Sequence, residues 1–336
     1  MTPPERSADH RFVITLDEVR AAAAGLAGIT QRTPLLESAE VNAHFGGRLL
    51  LKMESMQRTG AFKIRGAYTC IRLLSAAERA RGAITYSSGN HGLGVATAAR
   101  LLGSSALLVM PGDVPAAKME ANRKLGAQIV TFDRDLESSD AVVERLRLET
   151  GRIVVPPSAD ARVLTGAGTV ALELHQQAQD AQADLDALLV PCGGGGLTAS
   201  SAVVMAALSP GTAVYAVEPD LFDDTRRSLD AGTRIANPTG QRTICDAIMT
   251  PIPNALTFEI NKALLTGGLA VTDAEVRDAM RFAFEHFKIV AEPGAVVGLA
   301  AVLGGKIDIT GKTIATVITG GNIDPQRFCA LLNQPE

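Results

Sequence analysis

The chain has 336 residues, more than a single ordinary domain of ~100–200 residues needs, so two domains or one large α/β body are expected. Apolar residues make up 46% and charged residues 20%, a globular balance that excludes disorder. Aromatics are only 4% with no Trp, and Lys+Arg 32 against Asp+Glu 36 leaves a formal charge of -4, so neither base stacking nor a polyphosphate-binding surface is served and no nucleic-acid partner is expected.

In chain order, the first twelve residues, MTPPERSADHRF, are polar and charged without an apolar run, so no secretory signal is expected. A helix opens after Thr15, where Thr15-Leu16-Asp17-Glu18 has capping-box spacing, and Gly25, Gly28 and Pro34 are expected to end it. Short apolar runs then alternate with helical ones. Strands are predicted at 49–53, 83–87, 106–110, 128–132, 153–155, 187–191, 213–217 and 313–318. Most are apolar throughout rather than alternating, as parallel strands covered on both faces should be. Residues 187–217 carry no charge and are long enough to span a bilayer, but Pro191, the glycines after it and Ser209-Pro210-Gly211 cut them into strand, loop, helix, turn and strand. No membrane partner is expected. A second capping box at Thr272-Asp273-Ala274-Glu275 opens a helix with Val276, Ala279, Met280, Ala283, Phe284 and Phe287 on one face. The class is α/β with doubly wound sheets. The run from about Gly82 to Arg152 reads as a small domain inserted into a larger one. The division predicted is a large domain of residues 1–80 and 156–336 and a small domain of 81–155. Cys70, Cys192, Cys245 and Cys329 lie far apart with no CxxC pair, which fits a reducing compartment and a cytoplasmic location.

Ligands of open α/β sheets bind at the carboxyl ends of strands. Three such ends are rich in small polar residues: Ser87-Ser88-Gly89-Asn90-His91-Gly92, Gly193-Gly194-Gly195-Gly196, and Thr319-Gly320-Gly321-Asn322. A tight turn needs one or two glycines. Four in a row before a helix at Leu197 let main-chain N–H groups wrap an anion, pointing to a phosphate monoester. A nucleotide is poorly supported. Gly311-Lys312-Thr313 has Lys306 where a P-loop needs Gly, and Gly166-Ala167-Gly168 lacks a third glycine in register.

The remaining segment is Thr59-Gly60-Ala61-Phe62-Lys63-Ile64-Arg65-Gly66-Ala67. Lysines are ordinarily solvated. Lys63, however, lies between Phe62 and Ile64 at the opening of an apolar helix, a setting that desolvates an ammonium and lowers its pKa, as an imine-forming lysine requires.

These four motifs, in this order and at these separations, resemble the fold-type II pyridoxal-phosphate enzymes (tryptophan synthase β-like), in the branch of serine/threonine dehydratases, also called threonine ammonia-lyases, and serine racemases. The resemblance spans about Thr15 to Phe328. It implies two doubly wound α/β domains with pyridoxal 5'-phosphate between them. Lys63 would carry the cofactor as an imine and act as the base at Cα, with Phe62 packed beside the ring. Asn90 would bond the ring hydroxyl, Thr319 the pyridine nitrogen, and Gly193, Gly194, Gly195 and Gly196 the phosphate. Ser88, Gly89, Asn90 and His91 would hold the substrate α-carboxylate. Glu292-Pro293-Gly294-Ala295 would line the cofactor ring. Glu218, the Phe222 carbonyl and Asp224 match a divalent-cation site of serine-racemase-like members, suiting Mg²⁺ or Ca²⁺; an ordinary solvated acidic turn is the other reading.

The expected activity is carbon–nitrogen lyase chemistry on a β-hydroxy amino acid, threonine or serine first, giving a 2-oxo acid and ammonia. The expected assembly is a homodimer or homotetramer. Four departures bear on substrate: Ala61 for Ser, Thr319 for the commoner Ser, Pro156-Pro157-Ser158 for His-Pro-Asn, and Ala167 for Gln. Hydroxyaspartate dehydratases share the first two, yet Ser139 occupies the position where their side-chain-carboxylate Arg is expected. Other β-hydroxy amino acids, including a product of hydroxyectoine breakdown, stay open. So does racemisation with Ser88 delivering a proton opposite Lys63. A non-catalytic nucleotide-binding protein would leave Lys63 unexplained.

Overall fold

A computed structural model describes residues 12–114, 116–133 and 135–334; the polar N-terminal stretch through residue 11, with His10, lies outside the described residues. Among the described residues ten strands form two sheets: β1 Leu35–Glu37, β2 Arg48–Lys52, β3 Ala83–Tyr86, β4 Ala106–Pro111, β5 Gln128–Phe132, β6 Ile153–Val154, β7 Ala187–Pro191, β8 Ala213–Pro219, β9 Gly267–Val271 and β10 Thr313–Val317. The larger sheet has the order β1-β2-β10-β7-β8-β9 and the smaller β5-β4-β3-β6. Every pairing is parallel except β1 with β2.

The continuous apolar character of the strands has the expected cause. In β2, Leu49 and Leu51 face one core while Leu50 faces another; in β7, Leu189 faces the first and Leu188 and Val190 the second. In β4 the same alternation sends Leu108 and Met110 to one side of the smaller sheet and Leu107 and Val109 to the other. Each side chain is stripped of water whichever way it points, so a polar residue there needs a buried partner, as Thr316 finds in the Leu189 carbonyl at 3.0 Å.

Both predicted capping boxes form: Thr15 with Glu18 before the helix Leu16–Leu26, and Thr272 with Glu275 before Asp273–Phe287. Gly25 does not end the first helix as expected; it lies in the last turn of Leu16–Leu26, close against the Arg72 guanidinium. The charge-free stretch 187–217 is β7, a glycine loop, the helix Gly196–Leu208 and β8. Among the described residues no helix is long and apolar enough to cross a membrane.

The helix Lys63–Arg72 packs against Ala161–Asp180 at backbone distance. A Cβ on Gly66 would lie 2.7 Å from the Val163 carbonyl oxygen, and one on Gly166 would lie 2.3 Å from that of Arg65. Two glycines therefore set how deeply the Lys63 helix sits.

Candidate active site

Lys63 is the first residue of its helix, entered through Phe62. The Phe62 N–H donates to the Thr319 carbonyl at 3.1 Å, and Ala61 pairs with Gly320, so the loop after β10 is tied to the start of the lysine helix by main-chain bonds. The Lys63 ammonium donates to the Pro157 carbonyl at 3.1 Å and lies 5.0 Å from the centre of the Phe62 ring. Burial pulls its pKa down to about 8, although the Glu292 carboxylate acts the other way. A small cavity reaches Lys63, Phe62, Pro157, Ala167 and Gly196, so the lysine and the glycine loop border one space.

The 193–196 loop follows β7 and enters its helix through Gly195, whose φ of +77° is left-handed. The Gly194 carbonyl accepts from the Thr257 hydroxyl at 2.7 Å, and the Gly195 carbonyl from the Thr198 hydroxyl at 2.8 Å and the Asn261 amide at 3.4 Å. With the oxygens turned into the protein, the N–H groups of 193–196 meet no main-chain acceptor among the described residues. A Cβ on Gly194 would stand 2.5 Å from the Ser158 hydroxyl, and one on Gly195 2.7 Å from the Asn261 amide nitrogen. Side chains would fill this cradle. Unpaired amides at a helix N-terminus, in a concavity only glycine leaves open, fit a phosphate monoester.

The third loop, after β3, starts the helix Asn90–Leu101. Ser88, Gly89 and Asn90 are half-buried at its mouth. The Asn90 amide donates to Glu292 Oε1 at 2.6 Å and accepts from Asn322 at 2.8 Å. Glu292, 7% exposed, is pushed up to about 7 by burial, with the Asn90 bond opposing the rise. The His91 ring is turned inward. Its Nε2 meets the Val155 carbonyl at 2.8 Å, its Nδ1 is buried without a partner, and burial, with help from Lys63, lowers its pKa to about 3. A neutral ring facing the sheet leaves only the His91 main chain at the loop surface, which narrows the side-chain contribution expected of it.

Thr319 is buried at the end of β10. The geometry thus brings Lys63, Phe62, Thr319, Asn90 and the glycine loop around one site at the carboxyl ends of β2, β3, β7 and β10. Glu218 lies near the end of β8, and Phe222 and Asp224 follow that strand. Both Glu218 oxygens accept main-chain N–H groups, from Thr225 at 3.0 Å and Arg226 at 2.8 Å, while Asp224 accepts from Asn237 through Oδ1 and leaves Oδ2 buried without a partner. Burial, then mutual repulsion, raises Glu218 to about 8; burial raises Asp224 to about 6. Among the described residues no group of three His, Cys, Asp or Glu side chains could hold a metal, so a cation here would need main-chain oxygen such as that of Phe222.

Beneath Lys63 is a feature that sequence reading missed. Arg65, 1% exposed, bonds Glu54 through Nε and Nη2 at 2.8 Å each, and Glu173 through Nη1 at 2.8 Å and Nη2 at 2.9 Å. Lys52, fully buried, adds Glu173 at 3.0 Å and Gln177 at 2.8 Å. The bracing residues Thr257 and Asn261 and the Asn90–Glu292 bond were also missed, since their partners lie tens to hundreds of positions away.

A desolvated lysine sharing a cavity with an anion cradle, at the strand ends of a doubly wound sheet, defines an α/β enzyme built around a phosphorylated aldehyde cofactor. The chain belongs to the pyridoxal-phosphate dependent enzyme family, which it matches over residues 26–320. It is 38% identical over 322 residues to the L-threonine ammonia-lyase of Thermotoga maritima, covering 96% of this chain and 79% of that protein. It is also 38% identical over 315 residues to an L-threo-3-hydroxyaspartate ammonia-lyase of a Pseudomonas species, covering 94% and 97%. The solved structure of maize serine racemase superposes with a TM-score of 0.89 at 33% identity, over 95% of this chain and 97% of that one. The fold is that of the fold-type II pyridoxal-phosphate enzymes.

Proposed function

We propose that the protein is an ammonia-lyase that removes the β-hydroxyl and the amine of a β-hydroxy amino acid, yielding a 2-oxo acid and ammonia. The observation that carries this reading is Lys63: its half-buried amine borders the same cavity as the phosphate cradle, and burial pulls its pKa down to about 8. Pyridoxal 5'-phosphate, when bound, supplies an aldehyde for amine attachment and a ring that acidifies the substrate Cα. The protein's own groups do the rest. Lys63 Nζ takes the Cα proton, its lowered pKa making the neutral amine accessible near neutral pH. The 193–196 amides would hold the cofactor phosphate, Asn90 would bond the ring hydroxyl, Phe62 would pack beside the ring, and Thr319 would offer a neutral hydroxyl to the pyridine nitrogen. The main chain of Ser88, Gly89, Asn90 and His91 at a helix start receives the α-carboxylate. The Cα proton that Lys63 removes and the departing β-hydroxide together make up one water, so the elimination is neutral in protons. Hydrolysis of the released enamine consumes one water and gives ammonia.

The ammonia-lyase activities named for the two relatives fall within this reaction type, and L-threonine, L-serine and 3-hydroxyaspartate are the candidate substrates. Racemisation is the second reading, favoured by the likeness to maize serine racemase and by Ser88 at the mouth of the site. The division into residues 1–80 with 156–336 and an inserted 81–155, a homodimeric or homotetrameric assembly and a cytoplasmic location belong to the same proposal. So does a Mg²⁺ or Ca²⁺ held by Glu218, the Phe222 carbonyl and Asp224: the unpartnered Asp224 Oδ2 beside a second buried carboxylate supports a cation there. A screen of β-hydroxy amino acids for 2-oxo acid, with chiral analysis of recovered substrate and melts with and without Mg²⁺, tests the activity, the racemase reading and the metal. The reading expects 2-oxo acid from at least one of the three substrates and a higher melting point with Mg²⁺. Inverted substrate without 2-oxo acid supports racemisation, and a melt indifferent to Mg²⁺, Ca²⁺ and chelator removes the metal.

A further inference from the structure

Asn322 closes the fourth motif, on the exposed rim after β10. Its amide nitrogen donates at 2.8 Å both to the Thr59 carbonyl and to Asn90 Oδ1. The first of these bonds fixes the whole chain of amides. A main-chain carbonyl can only accept, so Asn322 must present nitrogen to Thr59. The same nitrogen then requires an oxygen from Asn90, which turns Asn90 Nδ2 to the opposite side, where it meets Glu292 Oε1 at 2.6 Å. Flipping Asn90 would set two N–H groups against each other at Asn322, and two oxygens against each other at Glu292 whenever that carboxyl is ionised.

We propose that Asn322 is a positioning residue that fixes the Asn90 amide with its nitrogen toward the cofactor, leaving the second Asn90 N–H for the ring hydroxyl. This rests on the assignment of Asn90 as a cofactor ligand. It is the Thr59 carbonyl, relayed across the two sheets by one side chain, that sets the polarity of this contact. Gly60 is the matching feature: at φ +72°, it is the residue whose Cβ would come within 2.3 Å of Asn322 Oδ1.

A purely structural role is separable. The 59–62 turn is held to the loop after β10 without the Asn322 side chain, by Gly321 N–H to the Gly60 carbonyl at 2.9 Å and Phe62 N–H to the Thr319 carbonyl at 3.1 Å. Removing the Asn322 amide should therefore leave the turn in place and free Asn90 to rotate.

The test compares Asn90→Ala, Asn322→Ala, Asn322→Asp and the double Asn90→Ala/Asn322→Ala. The readouts are the dissociation constant of pyridoxal 5'-phosphate, the absorption maximum of the bound cofactor and the melting temperature of the apoprotein. Losing one hydrogen bond predicts an affinity loss of about threefold to tenfold for Asn322→Ala, with the maximum shifted in the direction seen for Asn90→Ala. Asn322→Asp should be worse, since its carboxylate rewards the flipped amide. The double variant should match Asn90→Ala, and all apoproteins should melt together. Multiplying effects in the double variant, a wild-type constant and spectrum in Asn322→Ala while Asn90→Ala is impaired, or a loss explained by a lower apoprotein melt would each overturn the positioning role. Wild-type behaviour of Asn90→Ala would overturn the Asn90 assignment itself, and the positioning role with it.

Discussion

Replacing Arg65 with methionine leaves a hydrophobic side chain of similar length beneath the catalytic lysine and strands the carboxylates that the guanidinium now neutralises. Glu54 is 0% exposed and keeps only the Thr33 hydroxyl, at 2.6 Å; Glu173 is 22% exposed and keeps Lys52. Removing one partner of a buried ion pair costs ~3–5 kcal/mol, chiefly from the charge left behind. For a chain of 336 residues the unfolding entropy is roughly 0.7 kcal/mol/K, so the melting point should fall by ~4–7 °C. Because Arg65 lies two residues after Lys63 in the same helix, the loss should weaken cofactor retention as well. Adding Glu54→Gln removes the stranded charge while keeping a group for Thr33, and should recover much of the deficit. Thermal melts of the single and double variants decide it. A drop under 1 °C for Arg65→Met, or a double variant less stable than the single, would refute the reasoning.

Two further outcomes follow from the pKa shifts. Glu292 is raised from 4.5 to about 7, so the folded protein holds a proton that the unfolded chain releases; stability is fullest below about 4.5, declines as pH rises to about 7 and is level above, by roughly 3 kcal/mol at most. In the apoprotein, Glu292→Gln abolishes that decline, so its melting point relative to wild type should climb between pH 5 and 8; a constant difference contradicts this. Lys63, lowered to about 8, should in the apoprotein react with cyanate along a curve centred near pH 8, whereas exposed lysines with ordinary values near 10.4 are still gaining reactivity at pH 10. Peptide mass mapping reads both, and a Lys63 curve superposed on the exposed ones would contradict the desolvation of its amine.

Strands such as β4 and β7 were legible because they are buried on both faces, and complete desolvation writes itself as an unbroken apolar run; β5 and β6 were legible too, although they are only partly buried. The ones missed lack that imprint. β1 is a three-residue antiparallel edge, half-buried or exposed, and β9 begins with Gly267 and Gly268 and owes its strand character to pairing with β8. Gly25 was misread as a terminator because its constraint, the Arg72 guanidinium, comes from another helix. At the site the same division holds. Glycine runs and the flanks of Lys63 are local demands on backbone and dielectric, and they sit contiguously in the chain. Asn322, Glu292, Thr257 and the Arg65 network act through partners such as Asn90 and Glu173, joined only when the two sheets and the long helix Ala161–Asp180 come together. The inward turn of His91 was equally invisible, because its partner is a main-chain carbonyl on the neighbouring strand end.

The claim on which the others depend is that Lys63 Nζ bonds the aldehyde of pyridoxal 5'-phosphate. Treating the holoenzyme with borohydride and mapping its peptides by mass spectrometry tests this directly. One reduced phosphopyridoxyl group is expected, on Lys63, and none on any lysine of Lys63→Ala. Unmodified Lys63 in a yellow, active preparation, or the group on another lysine of the wild-type protein, would contradict it.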